Sequence, residues 1–166
     1  MITKASYRPF FKQNLYFDRD LNNVIGAVVK AFPTSAHRNI GIVVPAPRAE
    51  VVAAALVVDE TPDLSYYTYT GQFFPRWRYE KGVPDEGMLA FESADDGDVI
   101  DGYRRIDNIT NHALASFVTA YGDSITKDDI FYYVYGLLHS PDYRETFAAD
   151  LKKMLPRIPL VTDPWP

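Results

Sequence analysis

The tightest constraint on this chain is a corner, Ser140-Pro141, set between two helical stretches near its C-terminal end. Before it, Ile130, Val134, Leu137 and Leu138 recur at helical spacing, with Phe131 and Tyr135 beside them. Thr126 is placed to cap the first N–H groups and Asp129 follows three residues later, the pattern of a capping box. Ile125 and Ile130 are spaced as the hydrophobic staple across that cap. At the corner, Ser140 can cap a second helix whose first position is proline, where a missing N–H costs nothing. Tyr143, Phe147, Leu151 and Leu155 then repeat every four residues, and Pro156 is expected to close that helix. Such a unit must bury an apolar stripe against the rest of the chain. Taken alone it is core, not chemistry.

The first half supplies strands to bury it against. Ser6 to Phe17 reads as two short strands broken near Pro9. Leu21, Val24, Ile25, Val28 and Phe32 follow a helical period, with Asp20 as cap and Pro33 as stop. Ile40 to Val44 is an unbroken apolar run, expected as a buried strand ended by Pro45-Ala46-Pro47. Val51 to Val58 stays open between helix and strand. Asp59 to Asp63 is expected as a turn, Tyr66 to Tyr69 as a strand, and Phe73 to Tyr79 as one extended segment with an edge at Pro75. Residues 81–102 are acidic and rich in Gly, Asp and Pro, so they read as a surface insertion. Asn111 to Tyr121 is a helix stopped by Gly122, with Thr110 or Asn111 as its cap. At 166 residues and 47% hydrophobic, the chain suits one domain with a sizeable core. The expected fold is α+β: a mixed β-sheet in the first half covered by helices, and a helical unit at the C-terminus. The domain is expected over 6–160, with 161–166 an extended tail.

Several chemistries lack their residues. With no cysteine there is neither a disulfide nor a thiolate metal site, and His37, His112 and His139 show no metal-ligand spacing. A methyltransferase would need a glycine-rich cofactor loop and an Asn/Asp-Pro-Pro-aromatic motif; Ser140-Pro141-Asp142-Tyr143 lacks the second proline and is explained as a helix start. A nuclease pattern is met in letters by Pro141-Asp142 and Asp150-Leu151-Lys152. On one helix those eight residues would span about 12 Å, too far for one ion. No Gly-x-Ser-x-Gly elbow is present. The chain is therefore expected to be non-catalytic, without a cofactor or metal. No apolar run approaches the roughly 20 residues that cross a bilayer, and no signal core stands at the N-terminus. We expect a cytoplasmic, monomeric protein with no membrane partner.

Recognition chemistry has more support. The net charge of −5 speaks against a generic nucleic-acid binder, but residues 1–49 carry seven basic against two acidic groups, net +5. That basic third can contact phosphates while acidic parts face elsewhere, or it can be ordinary solvated surface. Gln72, Arg76, Trp77 and Arg78 crowd one short segment. Arginine can bond guanine, and glutamine adenine, through two hydrogen bonds each. In a strand, Arg76 and Arg78 would share one face and Trp77 would anchor the other. The competing reading pairs both arginines with Glu80, Asp85 and Glu86 of the insertion. Tyr7, Arg8, Lys12 and Arg38 form a second set, suited to phosphate. Arg104-Arg105, Asn108, Thr110 and Asn111 are weaker candidates.

The corner also carries a family resemblance. Asp128-Asp129, the aromatic run Phe131 to Tyr135, Leu138 to Pro141, Tyr143 to Glu145 and Pro156 to Pro159 together resemble the C-terminal segment of Type ISP restriction-modification enzymes. Those are single chains with nuclease, helicase, methyltransferase and target-recognition parts. Tyr7 to Phe10 with Leu15-Tyr16, and Ala55 to Leu64 running on to Gly71-Gln72 and Phe74-Pro75, agree in the same order. The resemblance implies a strand at Leu56 to Val58. It also implies a target-recognition domain that reads an asymmetric site on duplex DNA, for methyltransferase and helicase parts lying N-terminal to Met1. It implies no S-adenosylmethionine, ATP or metal site here. Two other classes stay open: a coupling module docking on the methyltransferase part, and a carbohydrate-binding module built on Tyr66, Tyr67, Tyr69, Phe73 and Trp77.

Overall fold

The computed structural model describes residues 2–18, 21, 28–47, 54–67, 70–82 and 98–162. Strands fill the first part and helices the second, in the α+β arrangement expected, but the strands gather into three small sheets. β1 (Ile2–Arg8) and β2 (Phe11–Tyr16) form an antiparallel hairpin with Lys4 opposite Asn14. Pro9 and Phe10 make its turn, and Phe10 takes a left-handed φ of 67°. Within the segment read as a turn, Thr61–Pro62 pairs in parallel with β1 beside Ala5 and Ser6, which makes this sheet mixed. These two residues are numbered β5 below.

After α1 (Val28–Ala31), β3 (Gly41–Pro45) lies between β4 (Leu56–Val58) and β6 (Gly71–Pro75), antiparallel to both. Half of the helix read from Leu21, residues 22–27, lies outside the described residues, as do residues 51–53. Alternation along β3 divides the core. Ile42 and Val44 join the helical cluster, whereas Val43 joins Val58, Tyr66 and Tyr67 on the other face. An apolar run is what a strand buried on both faces requires. Gly41 is fitted to this crowding: a Cβ there would collide with the Phe73 ring and stand 2.8 Å from the Phe74 carbonyl.

The segment read as one strand from Phe73 to Tyr79 is two strands in different sheets. β6 ends at Pro75, and β7 (Trp77–Lys81) pairs with β9 (Tyr103–Asp107), which pairs in turn with β8 (Val99–Ile100). Arg76 is the joint. Its N–H donates to Ile40 O at 2.7 Å, and its carbonyl accepts from Asn108 N at 3.3 Å. Proline has no N–H to continue the ladder, so the chain changes partners there. Asn39 holds the new strand: Nδ2 donates to Trp77 O at 2.7 Å, and Oδ1 accepts from Trp77 N at 3.2 Å. Two further expectations change. Tyr66 and Tyr67 lie in bends rather than a strand, and the end of the acidic insertion is β8; residues 83–97 lie outside the described residues.

The helices follow their caps. α2 (Asn111–Tyr121) starts at Thr110, whose hydroxyl accepts from Ala113 N, and stops at Gly122 with φ 100°. α3 (Lys127–His139) has the full capping box between Thr126 and Asp129. α4 (Pro141–Thr146) begins at Ser140, whose hydroxyl accepts from Tyr143 N at 3.3 Å. The expected single helix to Pro156 is interrupted at Phe147, and α5 (Ala148–Leu151) ends early. An i+4 repeat gains about 40° per step on a 3.6-residue helix, so a straight rod would swing Leu155 away from Tyr143. Leaving the helix lets Leu155 and Ile158 pack on the same cluster as Tyr143. Tyr121 donates to Val161 O and Tyr133 to Pro159 O, which ties the following segment down.

Candidate functional site

Among the described residues Arg76 is the most deeply buried charged side chain, and its place differs from the base-reading one expected. It is 3% exposed. Nη1 donates to Asp107 at 2.6 Å and Nε to Asp128 at 2.8 Å. The guanidinium also stacks 3.9 Å from the centre of the Trp77 ring, which Arg105 approaches at 4.5 Å. Asp107 receives Ile109 N at 2.9 Å and lies 3.7 Å from Lys127 Nζ. Asp128 sits in the first turn of α3, where the helix dipole favours an anion. Arg76 thus joins the β6–β7 break, β9 and the start of α3, and no donor is turned outward to a base. Among the described residues its pairing partners are these two aspartates. Sequence reading missed Asn39 and Asp107. The available signal was Asp128, an acidic residue beside the capping box but not part of it.

Arg78 separates from Arg76. It is exposed on the outer face of β7, with Glu80 at 3.8 Å as a loose partner. Gln72 lies opposite Val44, on the face of its sheet that meets the helices, and is half-buried. These residues, expected as one reading strand, therefore sit in different sheets, and only Arg78 offers an open guanidinium.

Of the second set, Arg38 lines a cleft, and Lys12 is bonded to two of the carboxylates in its wall. The hairpin and the segment from Phe32 to Arg38 enclose a cleft of about 360 Å³ whose walls include Lys4, Asn14, Ser35, Arg38, Asp59 and Glu60. Arg38 is exposed at its rim. Lys12 reaches Asp59 at 3.0 Å and Glu60 at 3.2 Å. These bonds hold the Lys12 ammonium above its ordinary pKa and the Asp59 carboxyl below its own. Lys12 can thus meet a phosphate only in competition with two carboxylates. Glu60 is buried and also accepts from Ser6 Oγ at 2.6 Å. Tyr7 and Arg8 stand at the far end of the hairpin: Arg8 donates to Ser65 O at 2.7 Å and lies over the Tyr7 ring.

The other candidates are accounted for by packing. His37 contacts Thr34 through Nδ1 and Ile100 O through Nε2, and His139 contacts Ala55 O. Asn108 bonds Pro75 O. Arg105 pairs with Asp98 at 2.7 Å. The aromatic platform that a carbohydrate site would need is largely internal. Tyr66 and Tyr67 are buried, Tyr67 donates to Val43 O, Phe73 stacks on Phe32, and Trp77 lies against Arg76 and Arg105; Tyr69 is outside the described residues. Among the described residues no three His, Asp or Glu side chains form a metal cluster, and no helix is long and apolar enough to cross a membrane.

This architecture has solved counterparts. The "ATP-dependent Type ISP restriction-modification enzyme LlaBIII bound to DNA" matches 98% of the chain at 26% identity with a TM-score of 0.79. The DrdV–DNA complex matches 95% at 33% identity and 0.78. A nuclease-deletion mutant of the Type ISP enzyme LlaGI, in complex with a DNA substrate mimic, matches 96% at 33% identity and 0.69. The chain spans only 10%, 14% and 12% of those proteins. No curated protein matches it. The model of the Type ISP C-terminal specificity domain covers residues 1–166, and the chain belongs to that family.

Proposed function

We propose that this domain reads a specific sequence on duplex DNA, non-catalytically, for a Type ISP restriction-modification enzyme. The observation that carries the proposal is the specificity-domain match over residues 1–166, together with relatives of the same fold solved on DNA. Electrostatics agrees: the basic first third places Lys4, Arg38 and the hairpin around one cleft, within a chain whose net charge is −5. In this reading the domain spans 6–160 with 161–166 as a tail. It works as a monomer in the cytoplasm and serves methyltransferase and helicase parts of the same parent chain. Arg38, Arg8, Tyr7 and Lys12 contact backbone, and Arg78, with Gln72, contacts bases. Arg76 does not contact bases, because its guanidinium is buried against Asp107 and Asp128.

The test separates the two classes of contact. Arg78→Ala should cost about 1–3 kcal/mol and relax preference at one position of the site, whereas Arg38→Ala should weaken all sequences alike and lower the salt slope by about one. Methylation-specificity profiling of the complete enzyme, with titrations across salt, reads both. Uniform loss for Arg78→Ala would demote β7 to a backbone clamp. No duplex binding by the complete enzyme at low salt would remove the recognition reading altogether.

A further inference from the structure

Phe10 combines two unfavourable features at one residue. Its ring is 90% exposed, and its backbone adopts a left-handed φ of 67° that an L-residue takes only at a cost. Neither is relieved by local packing, yet the scaffold beneath is firmly braced. Arg8 Nη1 donates to Ser65 O at 2.7 Å, tying the end of β1 to the turn after β5. The Arg8 guanidinium lies 5.1 Å from the Tyr7 ring, and Tyr7 meets Phe11 edge-on at 6.3 Å. Lys12 is clamped by Asp59 and Glu60 on the other strand. An apolar ring on a loose loop would fold back onto the surface. This one stands at the tip of a two-stranded arm tied down through Arg8 and Lys12.

The charge of the arm indicates what it meets. Residues 2–17 contain Lys4, Arg8 and Lys12 and no Asp or Glu, although the whole chain is acidic; Lys12 is paired with Asp59 and Glu60, so Lys4 and Arg8 carry the arm's remaining positive charge. β2 is an edge strand, with Gln13 and Asn14 exposed alongside it. A basic, narrow ribbon fits a DNA groove, and apolar side chains at such tips wedge between base steps, unstacking them. We propose that the Pro9-Phe10 tip is a wedge that inserts the Phe10 ring between adjacent base pairs of the bound duplex. This rests on the DNA-recognition reading above and adds a distortion of the DNA that base contacts alone would not need. The ties at Arg8 and Lys12 serve the insertion, since a tip that yielded could not hold two base pairs apart.

The experiment combines footprinting with probes of unstacking on plasmid DNA bound by the complete enzyme. Nuclease protection locates the site, permanganate reports unstacked thymines and diethylpyrocarbonate reports unstacked purines. The expected result is one hyperreactive step inside the footprint. Phe10→Ala should lower that reactivity by about an order of magnitude while leaving a footprint, and Phe10→Trp should retain it. Because Phe10 is so exposed, neither substitution should disturb folding, which a thermal melt would verify. A clear footprint without hyperreactivity, or hyperreactivity unchanged in Phe10→Ala, overturns the wedge and leaves DNA recognition standing. If Phe10→Ala keeps its reactive step but makes the domain separable by limited proteolysis, the tip docks on another part of the enzyme and the wedge is again wrong. No footprint at all sinks both readings.

Discussion

Arg76→Met tests the central joint most directly, because methionine keeps much of the apolar stem while removing the charge. Arg76 and Asp107 are enclosed, with side chains 4% and 11% exposed, whereas Asp128 is 65% exposed. Breaking a buried pair by removing one partner costs about 3–5 kcal/mol, since the remaining charge stays desolvated. Asp107 is not left wholly alone: Ile109 N remains at 2.9 Å and Lys127 Nζ at 3.7 Å. That places Arg76→Met near the low end, about 3 kcal/mol, with about 0.5–1 more for the lost stacking on Trp77. Asp128 can return to water, so its bond to Arg76 should be worth at most about 1 kcal/mol. Double-mutant cycles by urea unfolding should therefore give a large coupling for Arg76 with Asp107 and a small one for Arg76 with Asp128. Equal couplings would refute the burial argument. So would a loss below about 0.5 kcal/mol for Arg76→Met, within the range of an ordinary surface change. A variant with normal stability but altered DNA preference would return Arg76 to the reading set.

Other expectations follow from single contacts. Gly41→Ala forces a methyl group into the Phe73 ring and the Phe74 carbonyl, so chemical denaturation should show a loss of about 1–3 kcal/mol or more. Ser140→Ala removes the cap of α4 and should cost about 1 kcal/mol by the same measurement, without changing site preference. Thr126 holds the Asp129 carboxyl below its ordinary pKa of 3.8 by hydrogen bonds from its hydroxyl and its N–H. A depressed folded pKa contributes stability above the unfolded value that is lost as pH falls through the folded one. Melts from pH 5 to about pH 2 should show Asp129→Asn insensitive to this component while the parent loses it. A parallel decline in both proteins would assign acid unfolding to other carboxylates.

The elements legible in the sequence were those set by local rules. Caps at Thr110, Thr126 and Ser140, the stop at Gly122 and the apolar period of α3 need only neighbours a few residues away, and all are where the sequence places them. The apolar run that marks β3 as a buried strand, and the break of the first hairpin near Pro9, belong to the same class. So does the family, because its blocks are contiguous runs. What only the tertiary structure decided is how charges meet across distance. Nothing near Arg76 in the chain reveals that Asp107 and Asp128, 31 and 52 residues away, converge on it. Pro75 was visible as an edge, but whether the chain beyond it stayed in the same sheet depended on Asn39 and Ile40 offering partners to a second one. Lys12 likewise read as a free cation until Asp59 and Glu60 were folded against it. A side chain's propensity is a property of its own few residues. Whether its charge faces solvent or a buried carboxylate depends on which distant segments pack beside it.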